Sequence, residues 1–108
     1  MKVDIHDPFF SQKMTALHAL HGVMDPELFI NIIDLGLVYD ISFLEEEKII
    51  IIMTLSTPHC PLGEAIRSGV GNVLRPLFPE REAEIRIVWE PAWSPAMITE
   101  AGKQELGI

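Results

Sequence analysis

The 108-residue sequence predicts a two-layer α+β domain, with elements in the order α-β-β-α-β-α and helices packed on a three-stranded sheet. Three observations predict it. Apolar residues recur at steps of three and four near the N-terminus and again past the middle of the chain. Between and after these stretches the apolar period falls to two. One central run is apolar almost throughout, as a strand covered on both faces is.

Each element follows from its own residues. Phe10, Met14, Leu17, His21 and Met24 lie on one helical face, with Asp7-Pro8 or Ser11 able to start the helix and Asp25-Pro26 to stop it. Leu37, Tyr39, Ile41 and Phe43 alternate with Val38, Asp40 and Ser42 as a strand with one buried face. Glu45-Glu46-Glu47-Lys48 is a charged turn into the apolar run Ile49 to Leu55, so the two strands form a hairpin. Ser56 to Pro61 is a loop, and Leu62, Ile66, Val70, Val73 and Leu77 are the buried stripe of the next helix, which Pro76 and Pro79 end. Ile85, Ile87 and Trp89 alternate with Glu84 and Arg86 as the third strand. Ser94 and Pro95 open a final helix to about Leu106, with Gly107 past its end.

Length and charge set the class. At 12.2 kDa the chain can bury about two-thirds of its extended surface, enough for one core and too little for two. Residues 1–108 are therefore expected to form a single domain, with 1–10 frayed. Eight Lys and Arg against sixteen Asp and Glu leave a net charge of −8, which disfavours nucleic acid and anionic membranes as partners. The longest purely apolar stretch, Ile49 to Met53, is far short of a membrane span, and the first ten residues do not read as a signal peptide. The single cysteine excludes an internal disulfide and fits a reducing cytoplasm.

That cysteine is the sharpest chemical feature. Cys60, in Thr57-Pro58-His59-Cys60-Pro61, falls where the second helix should begin. There the unpaired backbone N–H groups and the positive end of the helix dipole favour a thiolate, which serves as a nucleophile or as a soft-metal ligand. A buried packing role is the plain alternative. His59 is adjacent in sequence and, on a loop, points away from Cys60 rather than acting as its base. Ser56 and Thr57 supply hydroxyls to the same place or cap the helix. His18 and His21, three apart on the first helix, are too few for a zinc site; His21 is expected half-buried and His18 solvated. Asp25-Pro26-Glu27-Leu28 and Asn31 to Leu37 place three carboxylates and a glycine between helix and strand, where binding residues concentrate. Trp89 and Trp93 either anchor a partner or close the core.

These segments, with Met53-Thr54-Leu55-Ser56-Thr57-Pro58-His59-Cys60-Pro61 and Trp89-Glu90-Pro91-Ala92-Trp93-Ser94-Pro95-Ala96-Met97-Ile98, resemble the metal–sulfur cluster biosynthetic proteins, the PaaD/SufT-like iron–sulfur cluster assembly domain. The resemblance runs from about residue 12 to the end. It implies the assembly-domain fold and an accessory, carrier or targeting role in maturing iron–sulfur proteins, rather than an enzyme. The functional cysteine of the family corresponds to Cys60, the expected metal-site residue, and the residues grouped near it correspond to Asp25, Glu27, Leu28, Ser56 and Thr57. The implied cargo is a transient iron or iron–sulfur cluster, with no cofactor held permanently. The implied partners are the assembly machinery and apo client proteins, met as a monomer or homodimer. With one cysteine in these 108 residues, the cysteine-rich C-terminal module of the phenylacetate-oxygenase branch is not expected, which disfavours that pathway. Two rival readings stand beside this one: a small thiol enzyme with Cys60 as nucleophile near Asp25 or Glu27, and an adaptor binding clients through Trp89 and Trp93.

Overall fold

A computed structural model describes residues 3–56 and 60–107, the side chains of 60–62 excepted. Its elements are α1 (Phe10–Leu20), β1 (Val38–Ser42), β2 (Lys48–Met53), α2 (Cys60–Leu74), β3 (Glu82–Ile87), a 3-10 turn over Pro95–Met97 and α3 (Glu100–Leu106). The predicted α+β architecture and element order are those observed. The sheet runs β1-β2-β3, with β1 antiparallel and β3 parallel to the central strand. Because β2 and β3 are parallel neighbours, α2 is the crossover of a β-α-β unit.

The core lies between the sheet and the two long helices. Ile49, Ile51 and Met53 of β2 meet Ile66, Val70 and Leu74 of α2, with Ala16 and Leu20 of α1 and with Leu37, Ile41 and Phe43 from the β1 side. At the far end of the sheet, Arg81 ties the hairpin to the start of β3. Its Nη1 donates to the carbonyls of Phe43, Glu45 and Lys48 at 3.0–3.1 Å, and its guanidinium lies 5.1 Å from the Phe43 ring centre. The acidic turn at 45–47 is exposed, as expected of a solvated hairpin tip.

The structure departs from expectation in several places. Met24, Leu77 and Trp89, expected on α1, α2 and β3, lie past the ends of those elements at Leu20, Leu74 and Ile87 and are 52 %, 48 % and 50 % exposed, because each element stops before the apolar period does. On α1 the buried residues are Ala16 and Leu20, whereas Met14 is 42 % exposed and His21 is exposed. The inward line includes Lys13, which a count of apolar residues skips. The Lys13 ammonium reaches Asp7 Oδ2 at 2.7 Å, so its stem can lie along the core side of the helix. Asp7 also accepts from Phe9 N, and α1 begins after it at Phe10 rather than at Ser11. On β1 a bulge between Val38 and Asp40 breaks the alternation. Tyr39 is therefore only partly buried, and its hydroxyl donates to the Pro91 carbonyl at 2.7 Å. Finally, Ser94 makes no side-chain cap and opens only the 3-10 turn. Thr99 caps α3, its Oγ1 accepting from Gly102 N. Gly107 ends α3 in the left-handed region at φ 75°, as predicted.

Candidate functional site

One end of the sheet gathers the chemistry. Val38, Met53 and Ile87 form its last paired row, so the start of β1 and the carboxyl ends of β2 and β3 share this edge. Just beyond it Thr54 N donates to Leu37 O and Val88 N donates to Met53 O, both at 2.8 Å, so the end of β2 is held from both sides. The chain then passes Leu55 and Ser56 and enters α2, whose first residue is Cys60. The cysteine is thus the opening residue of a crossover helix that follows the central parallel strand. In open α/β sheets this is where ligands bind, because strand ends and the helix N-terminus leave backbone amides directed at one space. Thr57 and His59 lie outside the described residues, as does the side chain of Cys60.

The same strand end carries two buried hydroxyls. Thr54 is 1 % exposed, and neither its Oγ1 nor Ser56 Oγ has a hydrogen-bond partner among the described residues. A hydroxyl buried without a partner is costly, so two within three residues of each other mark this connection as unusual. Ser56 was expected here; Thr54 was not singled out. Its signal was a hydroxyl directly after six strand residues that hold only one polar side chain. Tyr39 borders the same edge; burial pushes its hydroxyl pKa above the usual tyrosine value, opposed by the nearby Thr54 hydroxyl, which approaches the Tyr39 side chain without completing a hydrogen bond of good geometry.

Asp25 is 1 % exposed, and its Oδ1 accepts from Glu27 N at 2.8 Å and Leu28 N at 3.0 Å. Its own N–H bonds to Ile30 O and its carbonyl accepts from Phe29 N. Asp25 therefore builds the turn that contains Glu27 and Leu28. The Glu27 side chain projects into solvent, while Leu28 packs partly against the core. Close packing directs this turn. A Cβ on Gly22 would stand 3.9 Å from Val73 Cγ1, and one on Gly69 would stand 3.0 Å from Val23 Cγ1. The chain leaving α1 thus runs along α2 toward the end that bears Cys60.

The second acidic segment is fully engaged elsewhere. Asn31 Oδ1 accepts from Asp34 N and Asn31 Nδ2 donates to Asp34 Oδ2, both at 2.8 Å. Asp34 Oδ1 accepts from Thr99 Oγ1, and Asp34 O accepts from Thr99 N. Gly36 has φ 77°, and a Cβ there would stand 2.4 Å from the Met97 carbonyl oxygen. The loop glycine and Asp34 thus dock the C-terminal segment. Trp93 joins them, its indole N–H donating to Leu35 O at 2.7 Å. Trp89 is 50 % exposed, two residues past the end of β3. The two tryptophans therefore differ: one seals the core edge and one faces solvent beside the Cys60 end of the sheet.

Among the described residues the histidines gather no site. His18 and His21 are both exposed, and His21 Nδ1 lies 3.0 Å from Leu17 O. Among the described residues no group of three or more His, Cys, Asp or Glu side chains comes together as a metal ion requires. Among them, too, no helix is long and apolar enough to cross a membrane.

Comparison with known proteins matches this architecture to a family. Residues 13–87 match the family described as iron-sulfur cluster assembly protein. The chain is 38 % identical to the Fe-S protein maturation auxiliary factor YitW of Bacillus subtilis, over 89 % of this chain and 94 % of that protein. It is also 38 % identical to the Fe-S protein maturation auxiliary factor SufT of Staphylococcus aureus, over 80 % of this chain and 98 % of that protein. Among solved structures, a domain of unknown function from Bacillus anthracis superposes with a TM-score of 0.82 at 37 % identity, covering 91 % of this chain and 93 % of its own. A match running from within α1 to the end of β3, and so across both the Asp25 turn and the Cys60 connection, settles the assignment: the chain belongs to the iron–sulfur cluster assembly protein family.

Proposed function

We propose that this protein is an accessory factor in the maturation of iron–sulfur proteins, receiving iron or a cluster at Cys60 and passing it to an apo client. The observation that carries the reading is the position of Cys60 as the first residue of α2, directly after the carboxyl end of the central parallel strand. A thiolate there is favoured by the helix dipole and by amides not yet used in the helix. One thiolate is a quarter of the protein ligand set that common clusters require. The cargo is therefore shared with a client, a second subunit or a small thiol, and is held loosely enough to leave. The hydroxyls of Thr54 and Ser56 border the same connection and supply polar contacts to the thiol or its cargo. Trp89, half exposed at the same end of the sheet, offers an aromatic contact for the client.

The test is transfer. An apo iron–sulfur protein is mixed anaerobically with iron, sulfide and either the wild type or Cys60→Ala, and the return of client activity is followed. The reading expects acceleration by the wild type and none by a Cys60→Ala protein with unchanged Tm. Equal acceleration by both would remove Cys60 from the mechanism and leave the client-binding surface around Trp89 as the function. A thiol enzyme would instead show rapid, stoichiometric labelling of Cys60 by electrophiles at neutral pH, with no effect on client activation.

A further inference from the structure

The turn built by Asp25 ends in an anomaly. Phe29 has φ 59°, a left-handed backbone that a side chain larger than glycine adopts at a cost, and its ring is 75 % exposed. Met24 beside it is 52 % exposed. Neither conformation nor packing rewards a phenylalanine here; glycine would fit the backbone better and lose almost no buried area. Strained positions fixed by their surroundings, as this one is through the bonds of Asp25, are a mark of function.

Phe29 and Met24 form one wall of a groove of about 470 Å³ whose other wall is the outer face of α3, with Ala101, Gln104 and Glu105, and whose floor includes Asp34. Both charged residues lining it are acidic. The ion pairs found among the described residues, Lys13–Asp7, Lys48–Glu84 and Arg86–Glu84, all lie elsewhere; Asp34 spends its oxygens on neutral donors of Asn31 and Thr99, and Glu105 is exposed and in no ion pair among the described residues. A second copy of a chain with net charge −8 is a poor occupant, because the same acidic wall would meet itself.

We infer that this groove docks a segment of a partner protein that sets an apolar side chain against Phe29 and Met24 and a Lys or Arg beside Glu105 and Asp34. Apolar contact supplies the anchor, and the exposed Glu105 carboxylate, with the negative charge that Asp34 keeps although its oxygens are hydrogen-bonded, selects the basic flank. The surface is separate from the Cys60 connection and does not depend on the cargo reading.

The experiment is a titration of the full ¹⁵N-labelled chain with a capped peptide bearing one leucine between lysines, and with the same peptide bearing glutamates instead. The expected result is saturable shifts confined to Met24, Phe29, Ala101, Gln104 and Glu105, at least tenfold weaker with the glutamate peptide. Phe29→Gly should keep or raise Tm while weakening binding at least tenfold, a combination that a purely structural phenylalanine would not produce. Glu105→Lys, on the exposed face of α3, should weaken binding of the lysine peptide and strengthen that of the glutamate peptide. Equal response to the two peptides, or scattered shifts, would overturn the proposal. So would shifts at these residues on diluting the protein alone, which would assign the groove to a second copy.

Discussion

Two loops lead into the sheet of this protein from helices or toward them, and they use polar residues in opposite ways. In the segment from Asp25 to Gly36 the polar side chains found buried or half-buried are spent on the fold. Asp25 ties down two amides, Asn31 and Asp34 bond each other, and Asp34 reaches Thr99 across 65 residues of sequence. In the connection from β2 to α2, the hydroxyls of Thr54 and Ser56 are buried with no partner among the described residues. A loop whose polar groups are mutually satisfied explains its own composition. A loop that buries hydroxyls without such a return among the described residues, and leads to the one cysteine of the sequence, is where the proposed function places its cargo.

The largest expected effect breaks the first region. Gly36→Ala forces a left-handed alanine and puts its Cβ 2.4 Å from the Met97 carbonyl. Strain and overpacking together should cost about 3 kcal/mol, read as a lower urea midpoint with loosened resonances across 93–107. Next, Asp25→Ala leaves two amides without their acceptor, which should cost roughly 2–3 kcal/mol. Asp25→Asn keeps an acceptor oxygen and should recover most of that stability. Client activation by Asp25→Asn then separates a turn-building carboxylate, which the amide replaces, from one whose charge the cargo needs.

Smaller effects sharpen the contrast. Thr99→Ala removes the cap of α3 and the bond to Asp34 and should cost about 1 kcal/mol, with client activation unchanged per folded molecule. Thr54→Val in the second region should have the opposite profile. Replacing a buried hydroxyl that lacks a partner by a methyl of the same shape is neutral or stabilising, so Tm should hold or rise while client activation falls. A marked loss of Tm in Thr54→Val would show that the hydroxyl is part of the fold after all.

The smallest effect concerns acid. The Asp7 carboxyl is held below its ordinary 3.8 by the hydrogen bond from Lys13 and then by Phe9 N–H, and Glu84 below its ordinary 4.5 by Lys48 and then Arg86. A carboxylate with a depressed folded-state pKa stabilises the fold above its unfolded value, and that contribution is lost as pH falls through the folded value. The urea midpoint should therefore decline below about pH 4, and Asp7→Asn should flatten part of the decline. Both pairs lie away from Cys60 in the fold, so the pH dependence of client activation above pH 6 should be the same in Asp7→Asn and wild type.

How much of this was legible in the sequence depended on how local the cause is. The stripe Ile66, Val70 and Val73 fixes α2, and the proline-rich approach to Cys60 puts the cysteine at its start, because helix period and helix termini are short-range matters. The inward face of α1 was missed because Lys13 sits on it, and its burial depends on an Asp7 six residues away. The inward placing of Tyr39 failed because a bulge, which alternation cannot reveal, shifts the register of β1 at Val38. Asp34 and Gly36 look like binding residues because their partners, Thr99 and Met97, lie more than sixty residues downstream. For the same reason a single motif containing Trp89 and Trp93 gives no hint that Trp93 bonds the carbonyl of Leu35 while Trp89 is half exposed.

One paired measurement tests the difference between the two regions directly. Cys60→Ala and Thr99→Ala are each reconstituted anaerobically with iron and sulfide, and iron per folded chain is measured alongside Tm. Cys60→Ala should retain its Tm and lose bound iron, while Thr99→Ala should lose Tm and retain iron. Wild-type iron loading in a folded Cys60→Ala protein would contradict the role proposed for Cys60.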